Sequence, residues 1–117
     1  MSIKSINDIP IEELPVGRGT SKQVLISTDE GPNFAMRRFI IEPDGFMPLH
    51  RNSVEHEQFC LAGSAEVVIG DKNRIVKKND IVFIPSGVPH SYKTLGQESF
   101  EFLCMVPNHE DIIELDE

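Results

Sequence analysis

Three histidines carry the clearest chemical signal in the sequence, and they fall in two clusters. His50 and His56 lie within residues 48–57, and His90 follows a Pro-Ser-Gly-Val-Pro segment at residues 85–89. Imidazole in its neutral form binds zinc, copper, iron, nickel and manganese. Three imidazoles without a thiolate leave coordination positions open, as in catalytic metal sites. Histidines in β proteins also lie on the surface or in the core, and spacing alone does not separate these cases.

The elements that must position these histidines are predicted to be strands. Short runs of β-branched and aromatic residues recur between turn signals, and no helix of useful length is indicated, so we expect an all-β sandwich or barrel. Residues 42–45 are predicted to form a turn between two strands. Because alternate strand residues share a face, His50 and Asn52 should point the same way. Each of the three histidines is expected at a strand start, where a barrel's mouth meets its interior.

Length and charge limit the possible functions. The chain has 117 residues, which suits one domain. A formal net charge of -8 disfavours nucleic acid and anionic membranes as partners. No apolar run is long enough to cross a bilayer and no N-terminal signal core is visible, so we expect a soluble, cytoplasmic protein. The acidic C-terminal residues 110–117 are interpreted as a solvated tail.

Other side chains could contribute to a site. Cys60 and Cys104 lie in apolar runs and are not spaced as a redox or zinc pair, so they are interpreted as buried free thiols. Tyr92 should share a face with His90, where its hydroxyl could hold a substrate oxygen or simply pack at the rim. Phe102 should share the face of Cys104, and Cys60 the face of His56.

Two segments resemble the motifs of the cupin superfamily. Residues 45–63 are similar to the first motif, and residues 80–90 to the second, in which a Pro-x-Gly-x-x-His sequence ends on a metal ligand. The resemblance implies a cupin double-stranded β-helix, a jelly-roll-like barrel. It implies one cupin domain over residues 1–117, with a barrel core at about residues 16–107, a short N-terminal arm and an acidic C-terminal tail.

The pair His56-Glu57 resembles a subgroup of small manganese cupins of thermophiles, in which a histidine replaces the motif glutamate. The resemblance implies that His50, His56 and His90 bind one divalent transition metal. Manganese or iron is favoured, and zinc, nickel and copper are compatible with the same ligands. It also implies that Cys104 lines the cavity, and we expect Tyr92, Phe102 and Cys60 to line it too.

This sequence departs from the family pattern at one chemically important position. Asn52 stands where the second histidine of the first motif is expected. An amide oxygen is a weaker ligand than imidazole for these metals, so Asn52 could ligate the ion directly, act through water, or mark the loss of the metal. Asn79 replaces a motif glycine, which asparagine can do because it tolerates left-handed backbone. Thr94 replaces an asparagine.

The resemblance implies several functions. The first is a small-molecule oxidoreductase of dioxygenase type, and the alternatives are a metal-assisted isomerase or hydrolase and a non-catalytic sugar- or metabolite-binding cupin. No inward-facing general base is evident, which counts against the isomerase or hydrolase. Small cupins commonly form homodimers, and the candidate surface is residues 24–26 with the alternating side chains of Phe34, Met36, Arg38 and Ile40.

Overall fold

The predicted all-β fold is confirmed in a computed structural model that describes residues 1–115. In this described part of the chain, ten strands are connected by turns, and the one helical element is a short 3-10 turn at Ile6–Asp8. Asp116 and Glu117, part of the predicted acidic tail, lie outside the described residues. The strands are β1 (Glu12–Glu13), β2 (Arg18–Ile26), β3 (Phe34–Asn52), β4 (His56–Ala62), β5 (Ser64–Ile69), β6 (Lys72–Lys77), β7 (Ile81–Ile84), β8 (His90–Leu95), β9 (Phe100–Pro107) and β10 (Ile113–Leu115).

These strands form one curled antiparallel sheet, in which β3 is the organising element. Its first part pairs with β2 and β9, and its second part pairs with β8 and β10. The order of the main path is β6-β5-β8-β3-β9-β4-β7. Because one long strand changes partners along its length, it wraps around the interior and brings β8 and β4 to the same cavity.

The predicted turn at residues 42–45 is wrong in one respect, because β3 continues through it. Asp44 has a φ of 65° there, and Gly45 lies so close to the Arg18 and Glu42 carbonyls that a side chain would clash with both. The turn residues therefore bend a single strand at a corner instead of ending it, as glycines and irregular residues do at barrel corners. Asn79 has a φ of 78°, which bears out its tolerance of the left-handed conformation.

The core follows the alternation expected of strands with one buried face. Along β9, Phe100, Phe102, Cys104 and Val106 are buried and the residues between them are partly exposed. Ile41 and Ile84 are also fully enclosed. Within residues 1–115, no helix is long and apolar enough to cross a membrane.

Candidate metal centre

A cavity of about 280 Å³ opens inside the curled sheet, lined by apolar walls and a few polar side chains. Phe39, Met47, Tyr92 and Phe102 contribute to its walls. His50, His56 and His90 all line this cavity. The volume is close to the lower end of the range typical of small-molecule sites.

The pairing of three strands brings the histidines together. His50 and His90 are direct partners in the β3–β8 ladder, and His56 opens β4, opposite Ile84 of β7. The ring centroids of His50 and His90 are 4.3 Å apart, and those of His56 and His90 are 5.8 Å apart. His56 and His90 begin their strands as expected, whereas His50 lies near the end of β3. Antiparallel pairing still puts it beside the start of β8, so the end of one strand and the start of another meet at the cavity.

Backbone carbonyls orient two of the imidazoles. The Nδ1 atom of His50 lies 2.8 Å from the Pro48 carbonyl oxygen, and the Nδ1 atom of His90 lies 3.0 Å from the Val88 carbonyl oxygen. A carbonyl oxygen only accepts hydrogen bonds, so Nδ1 carries the proton in each ring. The lone pair is thereby left on Nε2. Hydrogen bonds of this kind fix the tautomer and orientation of metal-ligating histidines.

Four buried side-chain polar atoms lack a hydrogen-bond partner in the described part of the chain: Arg37 Nε, Asn52 Oδ1, His56 Nε2 and His90 Nε2. All four residues line the same cavity. Buried polar groups without partners are rare in folded proteins, since each costs about 1–3 kcal/mol. Their concentration in one cavity indicates a site that binds an exogenous group.

Asn52 is held with its oxygen free. Its Nδ2 atom donates a hydrogen bond to Asp111 Oδ2 at 2.9 Å, which fixes the orientation of the amide. The Oδ1 atom is then the one without a partner. Asp111 Oδ1 accepts from the Ser53 amide at 3.1 Å, so both carboxylate oxygens are engaged.

Burial keeps the imidazoles of His56 and His90 uncharged. It lowers the pKa of His56 to about 3, with smaller contributions from the positive charge of Arg37 and from the other two histidines. Burial likewise lowers the pKa of His90 to about 4, opposed by its hydrogen bond to Val88. Both rings are therefore neutral near pH 7, which is the form that binds metals.

The donor atoms that line the cavity suit a transition metal in their chemical element and in their protonation state. Among residues 1–115, however, no three His, Cys, Asp or Glu side chains already stand in the arrangement of a formed metal centre. Two unpartnered Nε2 atoms, one unpartnered amide oxygen and the tethered His50 ring are nitrogen and oxygen donors of the kind that divalent transition ions accept.

The other expected lining residues divide into two groups. Tyr92 and Phe102 line the cavity, with ring centroids 5.1 Å apart. The Tyr92 hydroxyl accepts a hydrogen bond from Gln58 Nε2 at 2.8 Å, and burial raises the pKa of Tyr92. Tyr92 is thus a buried neutral phenol, not one at the rim.

The two cysteines lie differently from the expectation that they line the cavity. Cys104 is fully buried behind the lining side chains, with its Sγ 3.5 Å from Arg37 Nη2 and 3.8 Å from Gln58 Nε2. Cys60 lies farther along β4, where its thiol contacts the Ala62 carbonyl oxygen at 3.5 Å. Longer neighbours on the same inward face, Arg37 and Gln58, cover the short Cys104 side chain, which strand parity alone could not reveal. Burial raises the pKa of both thiols.

Sequence reasoning missed the C-terminal segment, which was expected to be solvated. Strand β10 pairs with β3 at His50, Arg51 and Asn52, and Asp111, Ile113 and Leu115 line the cavity. Ser53 Oγ accepts a hydrogen bond from the Ile112 amide at 2.7 Å. Alternation of apolar residues at 113 and 115 was the available signal, but the surrounding acidic residues masked it.

A family model described as a cupin domain matches residues 37–106, which includes all three histidines. The chain is a cupin. Structures of known cupins share its fold: a cupin-2 domain protein from Rhodospirillum rubrum has a TM-score of 0.87 and 26% identity, and the alignment covers 99% of this cupin and 80% of that chain. The polyketide cyclase RemF from Streptomyces resistomycificus has a TM-score of 0.91 and 28% identity, with coverage of 100% and 86%.

Curated relatives match over part of their length. This cupin is 31% identical over 94 residues to 1-methylthio-D-xylulose 5-phosphate methylsulfurylase of Rhodospirillum rubrum, covering 80% of this chain and 60% of the relative. It is 32% identical over 72 residues to mannose-1-phosphate guanylyltransferase 2 of Escherichia coli O157:H7, covering 60% of this chain and 15% of that protein. The chain therefore spans less than two thirds of the length of these curated relatives.

Proposed function

We propose that this cupin binds one divalent transition metal ion through His50, His56 and His90, with Asn52 Oδ1 as a weaker ligand, direct or through water. The observation that carries the proposal is the convergence of unpartnered buried atoms, two imidazole Nε2 atoms and one amide oxygen, on one cavity. Manganese and iron are the favoured ions, because imidazole and amide donors suit them and no thiolate reaches the cavity.

We further propose that the protein is a small-molecule oxidoreductase of dioxygenase type. A manganese or iron ion bound here would supply redox chemistry and exchangeable coordination positions. The protein's own groups favour this over base-catalysed chemistry. Both Asp111 oxygens are engaged by Asn52 and Ser53, and the raised pKa of Tyr92 keeps its phenol protonated at neutral pH. Asp111 is the one carboxylate that lines the cavity within residues 1–115, so the described part of the chain leaves no free inward carboxylate to remove a substrate proton.

A second candidate is a metal-assisted isomerisation or cyclisation, in which the ion acts as a Lewis acid. It is supported by similarity to the polyketide cyclase RemF along the whole chain. Tyr92 offers a neutral phenol beside the histidines, with ring centroids of Tyr92 and His90 5.8 Å apart. A buried phenol of this kind can donate a hydrogen bond to a substrate oxygen.

Elemental analysis and metal exchange test both candidates. Protein purified without an affinity tag should retain close to one transition metal ion per chain, and the metal-free form should rebind manganese or iron stoichiometrically. Turnover of phenols, diketones or alkenes with manganese or iron but not zinc would support the oxidoreductase, since zinc has no redox chemistry. Turnover with zinc as well would favour the Lewis-acid alternative. Tight metal binding without turnover of any of these substrates would favour a binding cupin, and absence of metal binding would overturn the proposed site.

We also propose a homodimer. Its support is the exposed apolar side chain of Phe34, 67% accessible at the start of β3, beside the partly exposed Met36. The N-terminal arm covers part of the neighbouring β2, where Lys4 Nζ donates to the Leu25 carbonyl oxygen at 2.8 Å. Light scattering at micromolar concentration should give twice the chain mass of 13.2 kDa. A monomeric mass would contradict the dimer.

A further inference from the structure

Arg37 lies on the inward face of β3 and lines the cavity together with the three histidines and Phe39. It is paired with Cys104 of β9 in the sheet and lines the same cavity as His56. Its guanidinium carbon lies 5.0 Å from the centre of the Phe39 ring. Nη2 donates to the Cys104 thiol at 3.5 Å, and sulfur is a weak acceptor.

Among residues 1–115, this cation has no carboxylate partner. Within residues 1–115, the ion pairs are Lys4–Glu30 and Arg38–Glu101, and neither involves Arg37. Its Nε atom is buried without a hydrogen-bond partner. Asp111 is the carboxylate that lines the cavity, and its oxygens are already engaged by Asn52 and Ser53.

A partly buried cation without a carboxylate partner, with one nitrogen buried and unpartnered, is unfavourable for the fold by itself. Buried charges in proteins are normally paired or bind ligands, because removal from water costs several kcal/mol per ion. The protein as a whole is acidic, with a formal net charge of -8, so carboxylates are abundant elsewhere on the chain. The absence of one from Arg37 therefore indicates that the missing anion comes from a ligand.

We infer that the cavity binds a small organic carboxylate, with the anionic group held by Arg37 and the organic portion lying against Phe39 and Phe102 toward the histidines. The guanidinium presents a planar fork of donors that matches a carboxylate. Lys22 also lines this cavity of about 280 Å³, but its walls are largely apolar, so a planar carboxylate on an organic ligand matches both the guanidinium fork of Arg37 and the apolar surface. Carboxylates would then be the substrate class of the proposed metal site. Only the orientation of the organic portion toward the histidines rests on that proposed function.

The test compares benzoate with benzamide, and succinate with succinamide, by titration calorimetry on the full chain in metal-free and manganese-loaded forms. Each pair has nearly the same shape and differs in charge. Carboxylates should bind at least about tenfold more tightly than the amides, as expected for a charge-assisted hydrogen bond. Carboxylate binding should also shift the proton–nitrogen NMR signal of Arg37 Nε–H, assigned by its loss in Arg37→Lys.

Two variants at position 37 and one control define the outcome. Arg37→Gln should weaken carboxylate binding by about tenfold or more and leave amide binding unchanged, and Arg37→Lys should fall between this variant and the native protein. Arg74→Gln, at an exposed arginine of β6, should have no effect. Equal affinities for carboxylates and amides, or an Arg37 Nε–H signal that does not move at millimolar benzoate and succinate, would overturn the inference.

These experiments can overturn the proposed metal site and the proposed carboxylate binding independently of each other. Carboxylate binding that depends on Arg37 in a protein that takes up no metal would support the inference and overturn the proposed metal site. Stoichiometric manganese binding without preference for carboxylates over amides would support the metal site and overturn the inference.

Discussion

Strand β3 presents adjacent arginines to opposite faces of the sheet, and their surroundings differ sharply. Outward-facing Arg38 forms an ion pair with Glu101 and donates to Gln23 Oε1 at 2.7 Å. In residues 1–115, inward-facing Arg37 has the Cys104 thiol as its one hydrogen-bond acceptor and a buried Nε without a partner. The outer face thus satisfies its polar groups with the chain's own atoms, and the inner face does not.

The same contrast extends along the interior. Every unpartnered buried side-chain atom identified in residues 1–115 belongs to a residue that lines one cavity. Functional sites are commonly less favourable for folding than the rest of a protein, because their groups are arranged for a ligand. The residues that satisfy one another on the outer face are therefore distinct from the inner-face residues that are proposed to bind a metal and a substrate.

The largest expected effect is the loss of metal on removing an inward ligand. His90→Ala should abolish stoichiometric binding, with an affinity loss beyond about 100-fold, because even partners outside the ligand shell are worth 10–100-fold. His109→Ala, at the exposed fourth histidine, is the matched control and should bind normally. Isothermal titration with manganese measures both. Unchanged manganese binding in His90→Ala would overturn the proposed metal site.

The second prediction concerns the stability of the metal-free protein in acid. The folded-state pKa values of His56 and His90 are about 3 and about 4, whereas histidine in an unfolded chain titrates near pH 6.5. Below about pH 6.5 the unfolded chain therefore binds protons that the folded protein does not. The free energy of unfolding should fall as pH drops toward 4, by up to about 1.4 kcal/mol per pH unit for each histidine.

Urea unfolding across this pH range measures the effect, and His56→Gln should remove one histidine's share of it. His109→Gln, at an exposed histidine outside the cavity, is the control. A His56→Gln variant with the full pH dependence of the native protein would show that His56 is not held neutral by burial.

The third prediction tests whether the C-terminal segment supports the metal site. Asp111→Ala should weaken metal binding by about tenfold, because Asn52 loses the acceptor that orients its amide. Glu110→Ala, at the exposed neighbouring residue, should bind as the native protein does. Competition with a fluorescent chelator would measure the difference, and equal affinities would mean that Asp111 does not act through Asn52.

The fourth prediction is that Asn52→His should raise the metal affinity, whereas Asp111→Ala should lower it. Imidazole is the stronger ligand for these ions, so this variant should bind manganese more tightly, by about tenfold. Titration calorimetry of the variant and the native protein, carried out in parallel, measures the difference in manganese affinity. Unchanged or weaker binding would show that position 52 does not contribute to the ion's coordination.

The smallest effects concern the two arginines and have opposite signs. Arg37→Met should raise the free energy of unfolding by about 1 kcal/mol, because it replaces a partly buried cation that lacks a carboxylate partner among the described residues with an apolar side chain. Arg38→Met should lower it by about 1 kcal/mol, after allowing for solvent screening, because Glu101 and Gln23 lose their partner. Denaturant unfolding distinguishes the two variants. A destabilising effect at both positions would mean that the inner face is as well satisfied as the outer one.

Much of the fold was predictable from local sequence. Turn residues between short β-rich runs indicated the strands, and Pro-x-Gly-x-x-His together with His56-Glu57 indicated a cupin. The course of β3 was not predictable in the same way. Glu42, Pro43, Asp44 and Gly45 have turn chemistry, but whether such residues end a strand or bend it depends on the partners on either side, here β9 before the bend and β8 after it.

The sequence by itself determined which residues could bind a metal, since imidazole chemistry and strand parity make His50, His56, His90 and Asn52 candidates wherever they meet. Only the tertiary structure decided which groups stand beside them. Asp111 reaches Asn52 across 59 residues of chain, and Arg37 meets Cys104 across 67. These contacts arise from strand pairing, which joins distant segments through backbone hydrogen bonds that carry no side-chain signature. A periodic pattern therefore reveals the face of a residue but not the partners on it.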